Sequence, residues 1–88
     1  MNERRQLRAF VTELLQSKGD TSPFEDSESL AAGGRLDSIE VIRLVAFMEE
    51  SFGVDFARVE FDRADFDSIV SMSDFLSRFR KGGLPMAG

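Results

Sequence analysis

The chain contains no cysteine, histidine, tryptophan or tyrosine, and these absences exclude several kinds of chemistry. Without cysteine there is no disulfide, no thiol nucleophile and no cysteine-ligated metal. Without histidine there is no imidazole to serve as a general base or as a metal ligand. Carboxylates, lysines and serines remain, but catalysis by these groups needs a pocket that a chain of 88 residues rarely builds. We therefore expect a single domain that is not an enzyme and holds no metal.

The charge is acidic and unevenly distributed. The net charge is −5, yet residues 1–18 carry four cations against two anions, so the remainder of the chain carries −7. An acidic body argues against binding to the phosphate backbone of nucleic acids and favours partners with basic surfaces. The N-terminus is charged, and no apolar segment with a small-residue cleavage site follows it. We therefore expect a cytoplasmic protein with no signal peptide and no membrane insertion.

Hydrophobic spacing of three and four residues predicts a small antiparallel bundle of helices. The helices are expected over residues 3–18, from Ser38 to about residue 52, briefly within residues 61–69, and from about residue 71 to near Lys81. Gly19 and Gly53 are expected to end the first two helices, and Ser71 to cap the last one. No segment has the pattern of a strand.

The second helix is the most hydrophobic, and its pattern predicts two faces. The buried face is expected to contain Ile42, Val45, Met48 and Phe52, with help from Val41 and Leu44. An outward stripe is expected to contain Glu40, Arg43, Phe47 and Glu50. The preceding loop, residues 19–36, is long and polar, and a loop of this length in a small domain is usually functional or disordered. Residues 22–25 have the pattern of a short helical turn, and Phe24 and Leu30 are expected to anchor the loop to the core.

The segment Asp37-Ser38-Ile39-Glu40 opens the second helix directly after a glycine-containing loop. Aspartate followed three residues later by glutamate is a capping-box pattern, which would explain Asp37 and Glu40 and leave Ser38 an ordinary residue of the first turn. A functional interpretation is also open. A hydroxyl at this place is exposed on a rigid element, and the dipole and unpaired N–H groups of the helix favour an anion there. Ser38 is thus a candidate attachment point for a phosphate-linked arm.

Residues 4–80 resemble acyl carrier proteins. The resemblance lies in Leu36-Asp37-Ser38-Ile39, in residues 45–54 with their Glu-Glu-x-Phe-Gly ending, and in the order of the helices. It implies an all-α carrier domain over residues 1–81, built as a four-helix bundle with a short third helix and followed by a flexible tail, residues 82–88. It also implies that a phosphopantetheinyl transferase attaches 4′-phosphopantetheine from coenzyme A to Ser38. The thiol of that arm would carry acyl or aminoacyl groups as thioesters, so the missing sulfur would be imported.

The same resemblance implies partners and residue roles. A monomer would exchange cargo with a ligase that loads acyl or aminoacyl groups and with a downstream acyltransferase or synthase. Asp37 would cap the helix and contact the transferase or its coenzyme A–magnesium site, and Ile39 would offer an apolar contact beside the root of the arm. Glu40, Glu49 and Glu50 match positions where carriers present acids to basic partner surfaces.

Two residues depart from the family pattern. Arg43 stands where many carriers have an acid, and Phe47 stands where a small residue is common, so both are candidate contacts to specialised partners. The spacing from Gly34 to Ser38, and residues 66–69, are similar to discrete aminoacyl carriers, including the D-alanyl carrier type.

Three classes of function remain open at this point. The first is a free-standing carrier, and the second is a helical interaction module that docks partners without a prosthetic group. The third is an enzyme that uses carboxylates such as Asp37 and Glu40, which would require turnover by the unmodified chain. Replacement of Ser38 by alanine separates the first two, because it abolishes activity in a carrier and is silent in a module.

Overall fold

Three α-helices and one turn of 3-10 helix form the regular structure of residues 2–79, the part of the chain that this computed structural model describes. The elements in chain order are α1 (Asn2–Ser17), α2 (Ser38–Phe52), the 3-10 helix (Arg63–Phe66) and α3 (Ile69–Phe79). No strand occurs in these residues. The prediction of an all-α fold is confirmed, but the expected short third helix is a single 3-10 turn, so the described part has three α-helices rather than four. The predicted tail, residues 82–88, and the predicted helix end near Lys81 lie outside the described residues.

Helix α1 presents one apolar face to the core, as its periodicity predicts. Leu7, Val11, Leu14 and Leu15 are buried, and Phe10 is half-buried at the edge of this face. The chain leaves the helix through Gly19, whose φ of 85° lies in the left-handed region that favours glycine. Within residues 2–79, no helix is long and apolar enough to cross a membrane.

Helix α2 buries most of the predicted face, and Ile42 is the exception. Leu44 and Met48 are fully buried, whereas Val41, Val45 and Phe52 are only partly buried against the core. Ile42 is 67% exposed, so its expected place in the core is wrong. The first three turns of this helix carry apolar residues on several sides, so periodicity alone does not fix which side turns inward. Packing against α1 and the 3-10 helix decides it.

Phe47 also differs from its predicted place on an outward stripe. Its side chain is half-buried, because its ring stacks parallel to the ring of Phe10 on α1 with 4.2 Å between centroids. The ring of Phe52 meets it edge-on at 5.7 Å. Such aromatic pairs are worth about 0.5–1.5 kcal/mol beyond the area that they bury. Phe47 therefore joins α1 to α2.

The second half of the chain closes the core with a cluster of phenylalanines. Phe66 and Phe75 are fully buried with 5.7 Å between ring centroids, and Phe56 and Phe61 pack against both of them. Val54 is buried, and Val59 is partly buried, in the loop before the 3-10 helix.

Helix α3 begins earlier than its predicted start. The expected cap, Ser71, lies inside the helix, and the capping group is the buried hydroxyl of Ser68, which accepts a hydrogen bond from the backbone N–H of Ser71 at 3.1 Å. The prediction chose the wrong serine because Ser68 and Ser71 both precede apolar residues at helical spacing. α3 packs against α1 and the 3-10 helix through buried residues: Ile69, Met72, Phe75 and Leu76.

The long loop before α2 is anchored by the two predicted side chains. Phe24 and Leu30 are buried, which confirms that prediction. The Leu30 backbone N–H donates to the carbonyl of Asp67 at 2.7 Å, and the Leu30 carbonyl accepts from the N–H of Arg35 at 2.8 Å. The predicted helical turn at residues 22–25 does not form. The loop is therefore ordered by its contacts rather than by regular structure.

Candidate functional site

Ser38 is the first residue of α2, and its side chain is exposed. Within residues 2–79, no group forms a hydrogen bond with its hydroxyl. The backbone beneath it is fixed by a capping box, as predicted. Asp37 Oδ1 accepts from the N–H groups of Ile39 and Glu40 at 3.0 and 3.2 Å, and Glu40 Oε1 accepts from the N–H of Asp37 at 2.8 Å. The result is an accessible hydroxyl on a fixed backbone.

The electrostatics of this first turn follow from the same contacts. The pKa of the Asp37 carboxyl is lowered, first by its interaction with the Glu40 side chain, next by the backbone N–H groups of Glu40 and Ile39, and to a smaller extent by the charge of Lys18. Asp37 is therefore ionised near neutral pH. As an ionised cap it accepts stronger hydrogen bonds and interacts favourably with the positive end of the helix dipole.

Lys18 connects the end of α1 to the start of α2. Its Nζ donates to the Arg35 carbonyl at 2.7 Å and to Glu40 Oε1 at 3.1 Å. Glu40 was predicted as a contact for basic partners, but its side chain is only 12% exposed and is already paired with Lys18 and with the N–H of Asp37. In this structure Glu40 therefore belongs to the cap of α2 more than to its outer surface.

Arg35 holds the preceding loop in place. Its Nε and Nη2 donate to the two carboxylate oxygens of Asp20 at 2.8 and 3.0 Å, and its Nη1 donates to Glu28 Oε2 at 3.0 Å. Nη2 also donates to the carbonyl of Ser22 at 2.7 Å. The hydrogen bond from Arg35 lowers the pKa of Asp20, and the same bond raises the pKa of Arg35.

Sequence reasoning gave Arg35 no role. Its partners lie 15 and 7 residues away along the chain, so no local spacing indicates them. The one signal in the sequence is the number of acidic residues in the loop, which favours an ion pair with a nearby arginine such as Arg35. Because Arg35 stands three residues before Ser38, its contacts fix the position of the chain that leads into the site.

A small groove lies beside Ser38. It has a volume of about 250 Å³, and four of its seven lining residues are apolar: Val41, Ile42, Phe61 and Phe66. The other three are Ser38, Asp62 and Arg63. Ile42 and Phe61, both in the groove, are 67% and 43% exposed, and neighbouring Ile39 is 60% exposed. These three are the large exposed hydrophobic residues among the residues described. The groove was not predicted, because it forms only when the 3-10 helix packs against α2.

The remaining predicted contacts do not gather around Ser38. Arg43, Phe47 and Glu50 line a second groove, of about 420 Å³, between α1 and α2, together with Phe10 and others. Ser38 is not among its lining residues. Glu49 is exposed and lines neither groove. The predicted partner-binding set is thus divided between the cap of α2, the α1–α2 groove and the open surface.

Comparison of the chain with models of protein families, with curated proteins and with solved structures finds no match. Within residues 2–79, no cluster of three or more Asp and Glu residues is placed to hold a metal ion.

Proposed function

We propose that this protein is an acyl carrier that bears 4′-phosphopantetheine on Ser38 and shuttles acyl or aminoacyl groups between enzymes. The observation that carries the proposal is the exposed Ser38 hydroxyl, without a hydrogen-bond partner in the described part of the chain, on the first residue of a capped helix and beside an apolar groove. In this proposal the fold is a four-helix bundle of the acyl-carrier type, with the 3-10 turn in the place of the short third helix.

The residues around Ser38 suit the proposed group. A phosphodiester on the Ser38 oxygen stands at the N-terminus of a 15-residue helix, where the dipole favours an anion. The capping box and the Lys18 contacts fix the backbone at the root of the arm. The arm, when attached, supplies a thiol that holds the cargo as a thioester. The chain itself supplies no catalytic group in this proposal and acts as a scaffold.

Attachment is a group transfer in which Ser38 is the nucleophile. The Ser38 oxygen forms a bond to the phosphorus of coenzyme A that bears pantetheine, and its proton passes to a base on the transferase. The bond from that phosphorus to the bridging oxygen of the pyrophosphate breaks, and adenosine 3′,5′-bisphosphate leaves. Ser38 is free for this step because its hydroxyl is exposed and, in the described residues, has no competing hydrogen bond.

The surface near Ser38 suits transient contacts with several enzymes. Ile39 and Ile42 form an exposed apolar surface next to the hydroxyl, and Glu49 and Glu50 add acidic groups further along α2. Exposed charges of this kind raise encounter rates and select partners, and salt weakens them. The proposed partners are a phosphopantetheinyl transferase, a loading ligase and a downstream acyltransferase or synthase, which a cytoplasmic monomer would meet in turn.

The test is the intact mass of the protein after incubation with coenzyme A, magnesium and a transferase of broad specificity. We expect a gain of one phosphopantetheine in the natural chain and no gain in Ser38→Ala. Ser51→Ala is the matched control, because Ser51 is an exposed serine on the same helix and should leave loading unchanged. Absence of loading in a folded chain that was not already modified would refute the proposal.

The second candidate is a helical interaction module without a prosthetic group. The α1–α2 groove favours it, because this groove contains the stacked rings of Phe10 and Phe47 and lies apart from Ser38. A module predicts that Ser38→Ala is silent in the cell, whereas Phe47→Ala is not. A carrier predicts that Ser38→Ala abolishes function.

A further inference from the structure

Arg63 differs from most arginines of the described chain because its guanidinium has no carboxylate partner. Arg35 and Arg8 are held by Asp20 and Asp26, with nitrogen–oxygen distances of 2.8 and 2.7 Å. Arg63 begins the 3-10 helix, its side chain is exposed, and within residues 2–79 it forms no salt bridge. It nevertheless lines the small groove that Ser38 also lines. An unpaired cation thus stands on the wall of the groove that contains the exposed hydroxyl.

We propose that the Arg63 guanidinium binds the phosphodiester formed on Ser38 and so holds the root of the arm against the groove. This inference rests on the proposed carrier function. Arginine suits the task because its planar set of N–H donors matches the oxygens of a phosphate and stays charged at all relevant pH values. The neighbouring apolar side chains of Val41, Phe61 and Phe66 offer the phosphate no competing hydrogen-bond donor.

The other charged groups near the groove leave this role to Arg63. Asp37 and Glu40 are engaged in the capping box, and Lys18 is paired with Glu40. Asp62 also lines the groove and opposes an anion there, but its Oδ1 is held by the N–H of Ala64 at 3.0 Å. Arg63 is therefore the cation of the groove that is available to an incoming phosphate.

An anionic end of the cargo is a weaker candidate for Arg63. The phosphate is joined directly to the Ser38 oxygen, so its effective concentration at the groove is high and constant. A group at the far end of the arm reaches the groove only in some conformations. The tethered phosphate is consequently the occupant that the position of Arg63 favours.

The test places a phosphate on residue 38 without the transferase, by making the protein with phosphoserine at this position. A phosphoserine ionises a second time near pH 6, and ³¹P NMR follows this step directly. We expect Arg63→Gln to raise the phosphate pKa by about 0.2–0.7 unit, the range that exposed ion pairs produce. Asp62→Asn should lower it, and asparagine keeps the cap of the 3-10 helix. The Arg63 effect should shrink in high salt.

Arg43→Gln is the matched control, because it removes the same charge from an exposed position that lines the other groove. A shift in Arg63→Gln no larger than that in Arg43→Gln, with both variants folded by circular dichroism, would overturn the inference. The two proposals fail separately. If the transferase loads the chain but Arg63→Gln raises the phosphate pKa no more than Arg43→Gln does, only the role of Arg63 is overturned. If Arg63→Gln raises the phosphate pKa as expected but no transferase loads the chain, the phosphate contact is supported and the carrier function is overturned.

Discussion

Replacing Ile42 and Leu44 by alanine, one at a time, tests which side of α2 is buried. Leu44 is 0% exposed, and removal of a fully buried leucine side chain costs about 2–5 kcal/mol, because lost burial and the residual cavity add. Full burial of an isoleucine side chain stabilises a protein by roughly 1.5–3 kcal/mol. Ile42 is 67% exposed, so its removal loses only about a third of that amount. Alanine also forms helices more readily than isoleucine, by a few tenths of a kcal/mol, and this offsets part of the loss. We therefore expect Ile42→Ala to change the free energy of unfolding by no more than about 0.5 kcal/mol.

Urea and thermal unfolding followed by circular dichroism measure the difference. In a domain of this size, 1 kcal/mol corresponds to roughly 4–8 °C in Tm. Leu44→Ala should consequently melt about 10 °C or more below Ile42→Ala, which should remain close to the natural chain. An Ile42→Ala variant as unstable as Leu44→Ala would refute this reasoning. It would place Ile42 in the core, where the spacing of apolar residues predicted it.

Two further predictions concern the ends of α2 and its leading loop. Gly53 adopts φ 72°, and its N–H donates to the carbonyl of Glu49, so Gly53→Ala should lower the free energy of unfolding by about 1–2 kcal/mol in urea titrations; an unchanged midpoint would contradict this. Because Arg35 lowers the pKa of Asp20, this carboxyl stabilises the fold above about pH 4, and that contribution is lost as the pH falls through its lowered pKa. Between pH 7 and pH 3, the free energy of unfolding should therefore fall less in Arg35→Gln than in the natural chain. An equal fall in both would show that the Arg35–Asp20 pair does not contribute to stability.

The features predicted correctly from sequence are those whose signals are local. The capping box of Asp37 and Glu40 spans four residues, and the glycine that ends α2 follows its last apolar residue directly. Such signals act through hydrogen bonds between near neighbours, so packing elsewhere does not change them. The exposed place of Ser38 follows from the same segment and was predicted with it.

The features predicted wrongly depend on which elements meet in space. Nothing in the spacing of α2 distinguishes Ile42 from Leu44, because both belong to apolar rows of the same helix. Packing against α1 and the 3-10 helix sets the rotation of α2, and the stack of Phe10 on Phe47 is one contact on the α1 side. The same rotation leaves Ile42 beside the 3-10 helix, where it lines the groove next to Ser38.

The order of the loop before α2 was predicted only through its two anchors, Phe24 and Leu30. Most of its 18 residues are polar or turn-forming, and such a composition is compatible with either a disordered or a functional segment. The Arg35 contacts and the Leu30 backbone decide the matter, and both act across distances of many residues. A sequence pattern records which groups are present, but it does not record which of them pair.

The contacts around Ser38 combine two properties that a modification site needs and that usually conflict. An enzyme must reach the hydroxyl, which requires exposure, yet the attached group must start from a defined place, which requires a fixed backbone. At Ser38 the backbone is fixed from three directions, by the Asp37 cap, by Lys18 just after α1 and by Arg35 from the loop. None of these contacts uses the Ser38 side chain. The exposure of the hydroxyl therefore leaves the backbone that bears it fixed, and this is the physical reason why we propose Ser38, rather than an exposed serine of the loop, as the attachment point of the arm.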